Sequence, residues 1–184
     1  MGFIGLKVPH ETARLIEGLE YPGTPQGASS MHVTILYLGK DLPIETVAQA
    51  MIATCNVAAK IHPFICGVKD VASFPVNPDD GVPIILPVLS QTLHEFRAAL
   101  INEFIVQKVP FSNKYPDYKP HISVAFVKDG SMDTYEAPLP SPLTWTASDV
   151  VIWGGNKNDE LVSVVVPFSI RSVDRIAQRI ASGC

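Results

Sequence analysis

The same short pattern occurs twice in this sequence, once in each half. The first copy is HVT at 32–34, inside the segment MHVTILYLG at 31–39, and the second is HIS at 121–123, inside PHISVAFV at 120–127. Each copy places a histidine, a β-branched residue and a hydroxyl residue within a short apolar run that is typical of a β-strand. The copies lie about half the chain apart, which predicts a fold of two similar halves.

Strand geometry predicts which side chains of each motif act together. Successive side chains of a strand point to opposite faces, so Thr34 shares a face with His32, and Ser123 shares one with His121. If the two strands are neighbours across a groove, the groove holds two imidazoles and two hydroxyls. The opposite face is then apolar and buried, and we expect it to carry Val33, Ile35, Tyr37, Ile122 and Val124.

This set of groups is suited to the cleavage of a phosphodiester. One neutral histidine can take a proton from an attacking water or ribose hydroxyl, while the other, protonated, gives a proton to the departing oxygen. The hydroxyls of Thr34 and Ser123 can donate hydrogen bonds to non-bridging phosphate oxygens, where negative charge builds up. We therefore predict His32, Thr34, His121 and Ser123 as the catalytic residues.

The rest of the sequence predicts an α+β chain. Apolar periodicity and turn residues predict strands over 3–8, 31–38, 62–74, 82–89, 121–127, 145–153 and 161–168, and helices over 10–19, 43–60 and 91–106. The prolines within 82–89 favour an edge strand or a bulge, and a Pro/Ser-rich stretch at 137–142 is expected to separate two strands. No flexible linker divides the halves, so we predict one bilobal domain over 1–168. A basic amphipathic helix is expected in the tail at 169–184.

Composition limits the partners. The 184 residues carry 14 basic and 18 acidic side chains, a formal net charge of −4, so long nucleic acid is a poor expected ligand. No apolar stretch approaches the roughly 20 residues of a membrane span, and no leader segment is recognisable, so we expect no membrane contact and a cytoplasmic location. The three cysteines form no CxxC pair, which fits reduced thiols. The oligomeric state is not predicted.

These motifs resemble those of the two-histidine (2H) phosphoesterase superfamily, which includes the LigT-like RNA 2′,5′-ligases and cyclic phosphodiesterases. That family carries two His-x-Thr/Ser motifs, each on a strand of one of two pseudo-symmetric lobes, and HVT at 32–34 and HIS at 121–123 match them. The sequence LYLG after the first motif and the proline before the second are also similar. The resemblance covers most of the chain from Phe3 to Phe168. Ser123 stands where threonine is commoner, and it keeps the hydroxyl.

The resemblance implies both a fold and an activity. The fold has two pseudo-symmetric lobes, each an antiparallel sheet with helices packed outside, around a central groove. The activity is a metal-independent phosphodiesterase reaction on a small nucleotide or oligonucleotide, without a cofactor. Substrates in the family include 2′,3′-cyclic phosphates, 2′–5′ linkages and cyclic oligonucleotides, and phage members degrade cyclic nucleotide signals of bacterial defence. The sequence does not select among these substrates, and it does not assign which histidine is the acid.

Several residues outside the motifs have two interpretations. Tyr115 and Lys119 precede the second motif, where they can stack a base and meet a phosphate, or simply form a surface loop. Trp145 and Trp153 are predicted as core or hairpin residues rather than as a base platform. The remaining histidines lack a repeated partner, and we predict structural roles for His10, His62 and His94.

Three alternatives complete the predictions. A metal site is not expected, because HxH, HExxH and paired-cysteine spacings are all missing from the sequence. A non-catalytic module would capture a phosphorylated nucleotide in the same groove, as a sensor or sponge, although the retained hydroxyls favour catalysis. In a structural or assembly protein the repeat would be coincidental, and the two histidines would then lie far apart.

Overall fold

The computed structural model describes residues 2–76, 81–113, 116–128, 132, 134–154 and 162–169. Within them the chain forms nine strands, three α-helices and a short 3-10 helix at Ala28–Ser30. In chain order the strands and α-helices are β1 (Gly2–Lys7), α1 (His10–Glu17), β2 (Thr24–Pro25), β3 (His32–Gly39), α2 (Ile44–Ala58), β4 (Phe64–Ser73), β5 (Val82–Pro87), α3 (Gln91–Val106), β6 (His121–Val127), β7 (Glu136–Ala147), β8 (Asp149–Gly154) and β9 (Val162–Pro167).

The strands form two antiparallel halves that meet at the motif strands. Their order is β7-β4-β5-β6-β3-β1-β8-β9, with β2 added to β6. Strands β3 and β6 lie at the centre, and the one register pair that joins them in the described residues is Val33 with Ile122. Each half therefore contributes one motif strand, and the boundary between β3 and β6 is the seam of the two halves. This arrangement confirms the predicted α+β fold of two similar lobes.

Helices α2 and α3 cover one face of the sheet. Helices α2 and α3 pack against each other, α2 also contacts β8 and β9, and α3 contacts β3. The inward face of α3 is fully buried, as the helical spacing predicts; it consists of Leu93, Phe96, Leu100 and Phe104. Val33 and Ile122, each 0% exposed, belong to the same core. The helices thus seal the apolar face of the motif strands, and the motif histidines lie on the other.

We predicted that the Pro/Ser-rich stretch at 137–142 separates two strands, but it forms part of strand β7. This strand lies at one end of the sheet and pairs with β4 alone. A proline cannot donate a hydrogen bond to a neighbouring strand, and an edge strand tolerates that loss. The predicted strand over 145–153 is also two strands, because the chain leaves β7 at Ala147 and enters β8 at Asp149, on the far side of the sheet. Only two polar residues, Ser148 and Asp149, mark this crossing between the lobes in the sequence.

Strand β5 decides between the two structures predicted from its prolines. Its prolines favoured an edge strand or a bulge, yet β5 lies between β4 and β6. A bulge is found, since the register with β6 shifts between Ile84 and Ile85, with the extra residue on β6. Tyr115 and the tail helix predicted beyond Ser169 lie outside the described residues. No helix in the described part of the chain has the length and apolar character needed to cross a membrane.

Candidate active site

The two motif strands have the same pattern of exposure. In β3 and in β6 the histidine is half-buried, the next residue buried, the hydroxyl residue half-buried and the two that follow buried. Because Val33 pairs with Ile122 in antiparallel register, His32 lies beside Ser123 and Thr34 beside His121. All four predicted catalytic side chains therefore lie on one face at the seam. The separation of the histidines that a coincidental repeat would give is not found.

A β-bulge follows each motif and shifts the alternation of side chains between the two faces of the sheet. Gly5 pairs with Thr34 and Ile4 with Leu36, so Ile35 is skipped. In the same way, Ile85 pairs with Ser123 and Ile84 with Ala125, so Val124 is skipped. An extra residue on one strand turns the side chains that follow it to the opposite face.

Tyr37 is therefore not on the buried face with Val33, as we predicted. The bulge at Ile35 brings Tyr37 to the histidine face, where it is half-buried, and buries Leu36 and Leu38 instead. Phe126 takes the corresponding position in the other lobe. A strict period of two in the sequence cannot reveal this change, because the bulge shows only in the pairing with the neighbouring strand.

Both imidazoles are held in the same way by the main chain. The Nδ1 atom of His32 lies 2.7 Å from the carbonyl oxygen of Ser30, and that of His121 lies 2.7 Å from the carbonyl oxygen of Lys119. A carbonyl oxygen only accepts hydrogen bonds, so each Nδ1 carries a proton and donates. In both rings Nε2 is then the atom that gains or loses a proton.

The two histidines differ in their surroundings. The ring of His121 meets Phe74 edge to face at 4.7 Å. Burial lowers the pKa of His121 below its ordinary value of 6.5, and the nearby charge of His32 lowers it further, while the hydrogen bond to Lys119 acts in the opposite direction. His121 therefore favours its neutral form.

An aromatic cluster surrounds His32. Its ring lies 4.8 Å from Phe3 and 5.7 Å from Trp153, and Phe3 and Trp153 stack on each other at 4.6 Å. Gly5 leaves the space for this cluster, because a Cβ atom there would lie 3.2 Å from the Trp153 ring and 2.5 Å from the Val33 carbonyl oxygen. Trp145 is buried in the core, as predicted. Trp153 lies in the antiparallel pair of β8 and β9, the hairpin alternative of the prediction, and its half-buried ring also belongs to the site.

Two lysines lie near the motifs. Lys119, the predicted phosphate contact, is exposed, and its ammonium group lies 3.4 Å from the carboxylate of Asp117. Its contact with the site is the main-chain carbonyl that lies beside Nδ1 of His121. Lys7, which sequence reasoning missed, pairs directly with His32 across β1 and β3 and is exposed. Directly paired residues of antiparallel strands project from the same face, so Lys7 adds a positive charge beside His32. The alternation of side chains along FIGLK at 3–7 could have predicted this placement of Lys7.

The fold and this site define a two-histidine phosphoesterase. The family model of the 2′-5′ RNA ligase superfamily matches residues 8–159, and the chain belongs to that family. Among curated proteins, none matches the sequence.

Solved structures show the same fold. The protein TT0787 of Thermus thermophilus is 18% identical, with a TM-score of 0.70 over 93% of this chain and 98% of that one. LigT of E. coli, in complex with ATP, is 14% identical, with a TM-score of 0.61 over 91% of this chain and 97% of that one. LigT has also been solved with 3′-AMP, at 15% identity and a TM-score of 0.59, over 91% of this chain and 94% of that one.

Proposed function

We propose that this protein is a metal-independent phosphodiesterase that cleaves a small ribose-containing phosphodiester by acid–base catalysis with His32 and His121. The observation that carries the proposal is the matched pair of Nδ1 hydrogen bonds to main-chain carbonyls. They give both imidazoles the same tautomer and leave both Nε2 atoms to exchange protons. One neutral and one protonated ring side by side are what an in-line displacement at phosphorus needs.

We infer the roles of the two rings from their surroundings. His121, which favours its neutral form, is the base, and His32 is the acid. With a 2′,3′-cyclic phosphate, Nε2 of His121 takes a proton from water as the water oxygen bonds to phosphorus. The bond from phosphorus to one ribose oxygen breaks, and that oxygen receives the proton on Nε2 of His32. The hydroxyls of Thr34 and Ser123 donate to the non-bridging oxygens. With a 3′–5′ linked cyclic dinucleotide, the ribose 2′-hydroxyl attacks in place of water.

The surroundings of His32 suit a nucleoside. Phe3 and Trp153 present aromatic surface on which a base can stack, and such stacking contributes about 1–3 kcal/mol per base. Lys7 offers an ammonium group to a phosphate on the same side. The LigT structures with ATP and 3′-AMP support adenine nucleotides as the first substrates to examine.

A panel of substrates in EDTA tests the proposed function. The panel contains 2′,3′-cyclic AMP, a 2′–5′ linked diadenylate and a cyclic dinucleotide, and products are separated by chromatography. We expect at least one member to be cleaved at the same rate with and without chelator, because the chain supplies both proton-transfer groups. Cleavage that stops in EDTA would contradict the metal-free reaction. Tight binding of a ligand that is recovered unchanged would indicate the binding module instead.

The pH dependence of kcat/KM tests the assignment of the base. His121 must be neutral to accept a proton, and burial holds its pKa below 6.5, so we expect the acidic limb of the profile to have its midpoint below 6.5. The variant Phe74→Ala admits water to the ring and is expected to move that limb upward, towards 6.5. A wild-type limb at or above 6.5, or a limb that Phe74→Ala leaves in place, would rule out His121 as the base.

A further inference from the structure

The seam between the motif strands has few direct links. Strands β3 and β6 are joined at the single pair of Val33 and Ile122 in the described residues, next to all four groups of the site. Elsewhere neighbouring strands share longer ladders; β1 and β3, for example, pair from Gly2 to Lys7. The separation of the two motifs therefore depends on other contacts, and a shift of about 1 Å in such a site can cost about 10²-fold in rate.

Two loops supply these contacts, and each docks on the opposite motif. The loop before the first motif runs along β6: Thr24 and Pro25 pair with it, and the Gln26 amide donates to the Val124 carbonyl at 2.8 Å. The loop before the second motif contacts β3, where the Ser112 amide donates to the Tyr37 carbonyl at 2.9 Å. Each motif strand is thus bound by the segment that leads into the other motif.

Tyr118 is a side chain of the loop before the second motif that bonds directly to the first motif. It stands three residues before His121, and its hydroxyl donates to the main-chain carbonyl of Thr34 at 3.2 Å. The Arg97 guanidinium lies 4.9 Å from the centre of its ring, and the His94 ring meets it edge to face at 5.3 Å. Burial raises the pKa of Tyr118, so the hydroxyl stays protonated and able to donate.

We propose that Tyr118 is a positioning residue that holds the two motifs at their working separation, by tying the main chain of Thr34 to the segment that enters His121. Its hydroxyl bond crosses from one lobe to the other next to the seam, and helix α3 fixes the ring through Arg97 and His94. The inference rests on the proposed function, because the groups that it positions are the proposed acid, base and phosphate contacts.

The variant Tyr118→Phe tests this role, with Tyr21→Phe as its matched control. Tyr21 lies in the loop before the first motif, and its buried hydroxyl has no hydrogen-bond partner in the described residues. Loss of this hydroxyl therefore leaves the hydrogen bond between Tyr118 and Thr34 intact. We expect Tyr118→Phe to lower kcat by about tenfold or more with little change in KM, because the displaced groups act in the transition state. Tyr21→Phe is expected to keep both constants. A lower melting temperature with wild-type kcat in Tyr118→Phe would overturn the positioning role.

NMR titration of the His121 ring gives a second readout that needs no substrate. Its charged neighbour in the site is His32, while Lys119 contacts it through the main chain and Phe74 through an apolar ring. If Tyr118→Phe lets the motifs separate, His121 feels His32 less and gains water, so its pKa rises towards 6.5. An unchanged titration and kcat would overturn the proposal. A shifted titration in a protein that cleaves no substrate would support the positioning role of Tyr118 and overturn the proposed function.

Discussion

Replacing His121 with alanine is expected to lower kcat by about 10²–10⁴-fold, the usual contribution of one positioned proton-transfer group. His32→Ala is expected to cost a similar factor, because Nε2 of each ring handles one of the two protons. The double variant should cost much less than the product of the two factors, since groups that act as a unit are strongly non-additive. Steady-state rates on the substrate that the wild type cleaves best provide the measurement.

Two further variants sharpen this experiment. His121→Asn keeps a side-chain amide that can donate to the Lys119 carbonyl, the contact made by Nδ1, but has no atom in place of Nε2. We expect it to be as inactive as His121→Ala while remaining folded. His10, an exposed residue at the start of α1, provides the control, and His10→Ala should retain the full rate. Substantial activity in His121→Asn would show that Nε2 carries no proton in the reaction.

Loss of the motif hydroxyls is expected to have the next largest effect. Thr34→Val conserves the shape of the side chain, and Ser123→Ala removes a single oxygen. Each is expected to lower kcat by about 10²–10³-fold, as for the loss of one oxyanion-stabilising donor. The effect should appear in kcat rather than KM, because the non-bridging oxygens gain charge only as the transition state forms.

Conservative exchange and a distant control complete that test. Thr34→Ser and Ser123→Thr keep the hydroxyl and are expected to restore most of the rate. Thr144→Val changes an exposed threonine of strand β7 and should leave the rate unchanged. If Thr34→Val keeps the wild-type rate while Thr34→Ser loses activity, the methyl group and packing of Thr34 matter, and its hydrogen bond to phosphate does not.

The sequence predicted those parts of the fold that local patterns determine. Helix α3 spans Gln91–Val106 and strand β6 spans His121–Val127, both as predicted, because a long apolar stripe and a short β-branched run need no knowledge of neighbours. The separator predicted at 137–142 was wrong, and the sequence could not choose between an edge strand and a bulge for 82–89, both for one shared reason. Whether a proline-containing strand lies at an edge or inside a sheet depends on which strands pair with it, and that is a long-range property.

The site was predictable to the same extent. Alternation alone put Thr34 on the face of His32 and Ser123 on the face of His121. It could not reveal the bulge that turns Tyr37 to the histidine face, or Trp153 reaching from β8 over Gly5 to His32. Both depend on contacts across strands that are distant in sequence. The main-chain carbonyls that accept hydrogen bonds from the imidazoles likewise cannot be predicted from the identity of the side chains.

A crystal structure with bound adenosine 2′-monophosphate, a product of cyclic phosphate hydrolysis, tests the central claim most directly. That claim is that Nε2 of His32 and Nε2 of His121 flank a single phosphate. The predicted result is a phosphate with oxygens about 2.6–3.2 Å from both Nε2 atoms and from the hydroxyls of Thr34 and Ser123, with both Nδ1 atoms still on their carbonyls. A phosphate bound away from the seam, or one that contacts an Nδ1 atom, would contradict it.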